Sequence, residues 1–434
     1  MTQLARSMGV TRAAAMVVGI IIGASIFTQA SEVTSQVPSQ LGVFAVWIAS
    51  GLLTLIGALV IAELSSAWPQ TGGVYVFLSK SYSPAVGFLW GWAMFWTMHT
   101  GIVAIIAMVC ARYVGTFVEL GTTGTRVVAI FVVLILSGIN YIGVRAASAV
   151  QAALTFIKVF AIVAIIAVAF SMGGPAGAPA ATFAPNAITM GSFVSAMVAG
   201  LFTFGGWHMV SYSAEETIDP TRTIPRALLI GTVIVTVLYL AMNGAYLHVL
   251  PIDQVISSQR VAADLAEAVA PHIGAAEIVS FFVVLSTLGA ANGVILAGPR
   301  VYLAMASDGL LFRWFGAVHP TYRTPHRAIV LQAVWASVLI GTNTFRALFT
   351  RVVYTEWIFF ALLAASLYFL RKRADYAPVY KLGGAKLWAG LFVVSSATII
   401  VTTIKNNPAN ASIGLALVLI GLPVYYVAQR GSRR

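Results

Sequence analysis

The groups that could do chemistry cluster at two glycine-rich interruptions of otherwise apolar runs. The first reads Gly19-Ile-Ile-Ile-Gly23-Ala24-Ser25-Ile26-Phe27 and the second Gly200-Leu-Phe202-Thr203-Phe204-Gly205-Gly206-Trp207. A mid-helix glycine costs about 1 kcal/mol against alanine. Unwound backbone at membrane depth is tolerated only where protein buries it or it lines a cavity. A broken helix exposes amide N–H groups at the start of its second half, backed by the positive end of the dipole, and carbonyls at the end of its first half. One break can therefore hold a carboxylate and the other an ammonium, the two groups that a free α-amino acid carries. The amides after Gly23 would take the carboxylate, and the carbonyls from Phe202 to Gly205 the amine. The alternative for both segments is close helix packing through small residues.

Lys158, in Thr155-Phe156-Ile157-Lys158-Val159-Phe160, falls about eight residues, or ~12 Å, into an apolar run. Its ammonium either snorkels back to the interface or points inward, where it stands in for a bound cation and braces carbonyls of the first span. Intramembrane charges usually serve function. His208 follows the second break directly and is read either as a hydrogen-bonded core histidine or as a proton sensor. Glu63 and His99 also fall in or near apolar runs, without assignable partners. The segment Glu215-Glu216-Thr-Ile-Asp219-Pro220-Thr-Arg222-Thr-Ile-Pro225-Arg226 packs five charges into twelve residues. It is either a solvated turn or a gate whose ion pairs break on opening. Pro69-Gln-Thr-Gly72-Gly73-Val-Tyr75 is a tight turn and not a phosphate loop, because no Gly-Lys-Ser/Thr follows.

The elements that must hold these groups are membrane helices. Of 434 residues, 59% are hydrophobic and only 9% charged, against roughly a quarter charged in soluble chains. The apolar residues come in blocks of about 20, the length that crosses a hydrocarbon core. Twelve spans are predicted. The first six lie near Thr11–Gln36, Leu41–Ala67, Val86–Phe117, Val127–Val144, Val150–Met172 and Gly191–Ser213. The others lie near Ala227–Leu250, Glu277–Met305, Ala328–Gly341, Val352–Leu370, Leu387–Ile404 and Ser412–Val427. The net charge of +12 is distributed as topology and not as a nucleic-acid surface. With both termini cytoplasmic, eighteen Lys and Arg fall inside and only Arg112, Arg126, Arg260, Arg346, Arg351 and Lys405 outside, following the positive-inside rule. Spans one and six, the interrupted pair, occupy matching places if five helices repeat as five inverted ones, which is the pattern that points to a transporter site. The repeats would be residues 11–172 and 191–370, with two additional helices over 387–430, in one transmembrane domain. Gly173–Ala187 and Ile252–Pro271 read as loops over the outer mouth, the second with an amphipathic helix through Val261–Ala270. The single cysteine, Cys110, excludes a disulfide framework. No signal peptide is expected, since the first apolar block is too long and lacks a cleavage site.

Several segments together resemble the amino acid–polyamine–organocation superfamily, in particular its L-amino acid transporter branch. They are the first-span break, Gly57-Ala-Leu-Val-Ile-Ala-Glu-Leu64, Gly72-Gly-Val-Tyr75, Lys158 in its Thr-x-x-Lys setting, Phe204-Gly-Gly-Trp207, Glu215-Glu216 with Asp219-Pro220, and Ser286-Thr-Leu-Gly-Ala-Ala-Asn292-Gly. The resemblance covers about Val17 to Arg373. It implies an all-α LeuT-type fold with discontinuous helices 1 and 6, and sodium-independent alternating access. It further implies substrate contacts at Ile21, Gly23, Ala24, Ser25, Ile26, Phe202, Thr203 and Gly205. The carboxylate would meet Ala24 and Ser25, and the amine Ile21, Phe202 and Gly205. Phe202 would close over the substrate and Lys158 would brace the first helix; with His208, read from its position alone, they are the candidate gating or coupling residues. Two positions depart from the family pattern. Gly-Ser-Gly-Ile-Phe is replaced by Gly23-Ala24-Ser25-Ile26-Phe27, and the usual Asn after the tryptophan by His208.

The expected function is secondary transport of amino acids across the plasma membrane, by exchange or proton coupling, with no cofactor and no metal. Mammalian relatives bond a heavy subunit through a cysteine between spans three and four. Glu119–Thr125 has none, so no disulfide-linked partner is expected. Two alternatives are an amine or polyamine carrier, against which no acidic pair sits in the spans, and an intramembrane serine hydrolase built on Ser25 with His99 or His208. The hydrolase would need an oriented base that nothing in the sequence fixes.

Overall fold

The computed structural model describes residues 8–23, 25–70, 72–142, 144–172, 174, 188–311 and 314–432, with the side chains of 144–156, 213, 215, 216, 272 and 428–432 outside that description. Ala24 and nearly all of the Gly173–Ala187 segment thus lie outside the described residues.

Among the described residues the regular structure is helical. Helix α1 (Val10–Ile21) stops at the first glycine-rich segment. A 3-10 turn over Ser25–Phe27 leads to α2 (Gln29–Gln36). Then come α3 (Gln40–Ala67), α4 (Val74–Ser81) and α5 (Pro84–Ala93), the last running through a π-helical turn at Met94–Met98 into α6 (His99–Val114). Helices α7 (Gly121–Ile142), α8 (Val144–Ser171) and α9 (Met190–Thr203) follow, and a 3-10 segment over Trp207–Glu216 succeeds the second break. The rest comprises α10 (Pro220–Val249), α11 (Ile252–Ser257), α12 (Val261–Val269), α13 (Ala275–Ser307), α14 (His326–Thr342), α15 (Phe345–Leu370), α16 (Ala385–Asn406), α17 (Pro408–Leu419) and α18 (Gly421–Ser432).

Side-chain caps set several starts. The Ser39 hydroxyl accepts from the Gly42 amide at α3, Thr189 and Ser192 form a reciprocal capping box at α9, and Thr344 accepts from Ala347 at α15. Such caps satisfy amide donors that have no intrahelical partner.

Nine segments among the described residues are long and apolar enough to cross a membrane, and Val10–Ile21, Ile157–Ser171 and His326–Thr342 are shorter apolar helices. Helices α5–α6 form the interior: 89% of their apolar window is buried, against 28% for α7, α16 and α17–α18. The latter present Phe131, Leu387 and Val394 outward. Large exposed apolar faces of this kind suit lipid. The protein is therefore a helical integral membrane protein. The predicted amphipathic helix is α12, and its Val261, Ala262 and Leu265 are buried where it packs on α13 and α10.

Candidate functional site

The two glycine-rich segments end their helices and face a common cavity. Its lining includes Ile21, Gly23 and Ser25 from the first break, and Phe202, Thr203, Gly205 and Gly206 from the second. Ile102 and Ile106 of α6, Val294 of α13, and Val352 and Glu356 of α15 complete the walls. Ile26 is fully buried but is not part of the lining. The water-accessible space is only about 30 Å³, roughly one water molecule's share of liquid volume. Any larger solute needs these walls to move apart before it fits. A second cavity of about 100 Å³, reaching Met16, Tyr212 and Arg300, shares Ile20, Met209 and Val294 with the first. Those three residues are the partition between them. A much larger opening of about 830 Å³, lined by Arg112, Arg126 and Arg260, shares no residue with the site and lies among connecting segments.

Chain accounting explains how the first break is held open. A helix end leaves its last carbonyls without intrahelical partners, and buried ones must find others. The Val18 carbonyl accepts from the Ile22 amide at 2.9 Å. The Gly19 carbonyl accepts from the Lys158 ammonium, which is wholly buried. The Ile21 carbonyl accepts from the Gly23 amide at 2.7 Å and lies 2.9 Å from the Tyr239 hydroxyl. Beyond the break, no described acceptor pairs with the amides of Ser25 or Ile26. Unpaired amides at a helix start are the kind of donor that can bind an anion.

The second break is built similarly. The Gly205 amide donates to the Phe202 carbonyl at 3.0 Å, and the Tyr239 hydroxyl is 3.1 Å from the Thr203 carbonyl. Tyr239, fully buried on α10, thus links both breaks, and the sequence reading missed it. Gly206 has φ +91°, and a Cβ there would lie 2.6 Å from the Ile20 side chain. Only glycine lets the second break approach α1 so closely. Phe202 packs its ring 5.9 Å from Phe349 of α15.

Lys158 and His208 are not among the cavity lining. Lys158 sits behind α1, with its ammonium committed to Gly19. His208 is enclosed by the rings of Trp90, Trp207, Tyr212 and Phe360 at 5.0 to 5.7 Å, and its Nδ1 has no hydrogen-bond partner.

The residues left unassigned gain partners. His99 Nε2 lies 2.6 Å from the Val294 carbonyl. Glu63, fully buried on α3, accepts from Arg371 at 2.9 Å, from the Leu382 amide and from Tyr376. Its hydrogen bonds and charge hold the Arg371 guanidinium above the ordinary arginine range. In the charged loop, the described pair is Asp219–Arg222, local and exposed at 3.8 Å. The Glu215 and Glu216 side chains lie outside the described residues. Glu356 is the second residue the sequence reading passed over. Its signal was available, as the one acid inside the apolar Val352–Leu370 run.

Membrane-length helices around a cavity bounded by two helix breaks define a polytopic membrane protein with an enclosed internal cavity. The chain belongs to the amino acid permease family, whose profile matches residues 8–427. It is 29% identical over 432 residues to the serine/threonine exchanger SteT of Bacillus subtilis (strain 168), covering 98% of this chain and 97% of that one. It is 28% identical to the human large neutral amino acids transporter small subunit 2, over 98% of this chain and 80% of the relative. The human b(0,+)-type amino acid transporter 1 is also 28% identical, over 85% of this chain and 77% of its own.

Proposed function

We propose that the protein is a secondary transporter of free amino acids that works by alternating access, independently of sodium, through exchange or proton coupling. One observation carries this reading: both helix breaks open on the same cavity. The Ser25 amide supplies a donor for an α-carboxylate, and the carbonyls of Ile21, Phe202, Thr203 and Gly205, all on residues that line the cavity, supply acceptors for an α-ammonium. Ala24 would join the carboxylate site. Phe202 and Phe349 close one side of the cavity, and Ile20, Met209 and Val294 close the other. Separating either set gives access to the site from one face. Lys158 fills the place of a structural cation by holding the Gly19 carbonyl.

Twelve crossings fit this reading: the nine long helices plus the three shorter ones, with α1, its break and α2 completing one span. Residues 11–172 and 191–370 are then the two inverted repeats and 387–430 the additional pair. Both termini lie on the cytoplasmic side of the plasma membrane, the arrangement the distribution of Lys and Arg favours. Cys110 is buried within α6, which argues against a disulfide-linked partner. Against the hydrolase built on Ser25 with His99 or His208, neither histidine reaches the cavity that holds Ser25, so the serine–histidine dyad is not assembled.

Counterflow into proteoliposomes preloaded with each amino acid tests the proposal. Stimulated uptake of at least one is the expected result. Binding with no exchange or net flux for any amino acid would refute transport.

A further inference from the structure

We propose that Glu356 selects substrates whose side chain ends in a cation, making dibasic amino acids the preferred cargo. This rests on reading the cavity as an amino acid site.

Glu356 is only 6% exposed, lines the cavity, and has no hydrogen bond or ion pair among the described residues. Glu63 shows what a structural carboxylate looks like in this protein: fully buried, it meets a guanidinium, a backbone amide and a phenol. Removing a carboxylate from water without such partners is costly. A partner supplied by the ligand accounts for its position. The local register agrees. Val352 and Glu356, one helical turn apart, both face the cavity, and Phe360 one turn further packs on Trp207 at 5.1 Å.

The surrounding walls narrow the ligand class. No other acidic side chain lines the cavity, and its lining near α6 and α15 is Ile102, Ile106 and Val352. Lys158, the nearest candidate counter-ion within α8, is absent from that lining and bonded to Gly19. With the α-carboxylate and α-ammonium held by the two breaks, the carboxyl of Glu356 is left to the side-chain end of the substrate. A simple diamine would satisfy Glu356 but leave the Ser25 amide without an anion. A neutral side chain would satisfy that amide but leave Glu356 unpaired. Sites with a buried polar group discriminate strongly against ligands lacking its partner.

The test compares uptake of L-lysine with L-norleucine, the same carbon chain without its terminal ammonium, in proteoliposomes containing the full-length protein. The expected wild-type result is at least ~10-fold preference for lysine, lost or reversed in Glu356→Gln. Glu356→Asp should keep the preference at reduced affinity. Wild-type preference for norleucine overturns the proposal even if no variant folds. So does an unchanged ratio in folded Glu356→Gln, or loss of pH dependence with the ratio intact, which would make Glu356 a proton carrier. Transport of neutral amino acids with no lysine uptake overturns this inference alone. Transport of no amino acid at all overturns it together with the transport reading.

Discussion

The Tyr239 hydroxyl lies 2.9 Å from the Ile21 carbonyl, and the same oxygen is 3.1 Å from the Thr203 carbonyl. A phenol has one proton to donate, so the two carbonyls share it, and α10 becomes the common anchor of both breaks. When a bound ammonium competes for those carbonyls, the proton can favour one break over the other. Tyr239→Phe keeps the ring contacts with Trp47 and Phe204 and removes only this link. The cost to stability should be about 1 kcal/mol, read as a modest drop in Tm, while uptake falls far more than that drop explains. Wild-type uptake in a folded Tyr239→Phe protein would show that the bridge is structural.

Lys158 should be needed for transport more than for folding. Lys158→Met preserves most of the buried volume but leaves the Gly19 carbonyl without a donor, an orphan worth about 1–3 kcal/mol. Uptake should fall by at least ~10-fold, which corresponds to 1.4 kcal/mol, with the protein still monodisperse in detergent. Undiminished uptake would remove Lys158 from the mechanism.

The glycines of the two breaks should differ in tolerance. At Gly23 a Cβ would meet nothing closer than 3.8 Å, whereas at Gly206 it meets Ile20 at 2.6 Å with the backbone at φ +91°. Left-handed backbone alone costs a non-glycine residue about 1–2 kcal/mol. Gly206→Ala should lower Tm and abolish uptake, and Gly23→Ala should fold normally. Equal melting of the two variants would contradict the close approach of the second break to α1.

The Glu63–Arg371 pair ties α3 to the segment after α15, and its two ends are unequally buried at 0% and 33% side-chain exposure. Removing Arg371 strands a buried carboxylate, whereas removing Glu63 leaves a guanidinium that reaches solvent. Breaking a buried pair costs about 3–5 kcal/mol, reduced here because one partner is partly hydrated. Arg371→Met should therefore melt well below Glu63→Met, and the double variant should recover part of the loss. Equal single-variant melting temperatures would contradict this.

The membrane helices and the two places where they stop are legible from sequence because apolar length and mid-span glycine are local properties. Lys158 stands out for the same reason, a charge in an apolar run, although its acceptor does not. Tyr239 was hidden because tyrosine is ordinary in a membrane helix, and its role depends on two carbonyls 36 and 218 residues away. Glu356 is visible as a lone acid in an apolar run, but its place on the cavity wall depends on helices distant in the chain. The π turn at Met94–Met98, which precedes the His99–Val294 contact, has no sequence signature in an unbroken apolar stretch. Span ends also shift by a few residues, as with Val86–Phe117 against Pro84–Val114, because hydropathy fades gradually while caps such as Ser83 act at one residue.

His208 lies behind the second break without the hydrogen bond at Nδ1 that a satisfied core histidine makes. A proton sensor needs a partner that distinguishes imidazole from imidazolium, and here the ring meets Trp90, Trp207, Tyr212 and Phe360 while its Nδ1 has no hydrogen-bond partner. It fills the space behind the second break as an aromatic plate. His208→Asn loses four ring contacts, individually worth about 0.5–1.5 kcal/mol, and should melt at lower temperature. His208→Phe should keep most of that packing. Uptake measured across pH 5 to 8 should retain its shape in both variants, with only its amplitude reduced. A flattened pH profile in a well-folded His208→Phe protein would restore the histidine to proton coupling.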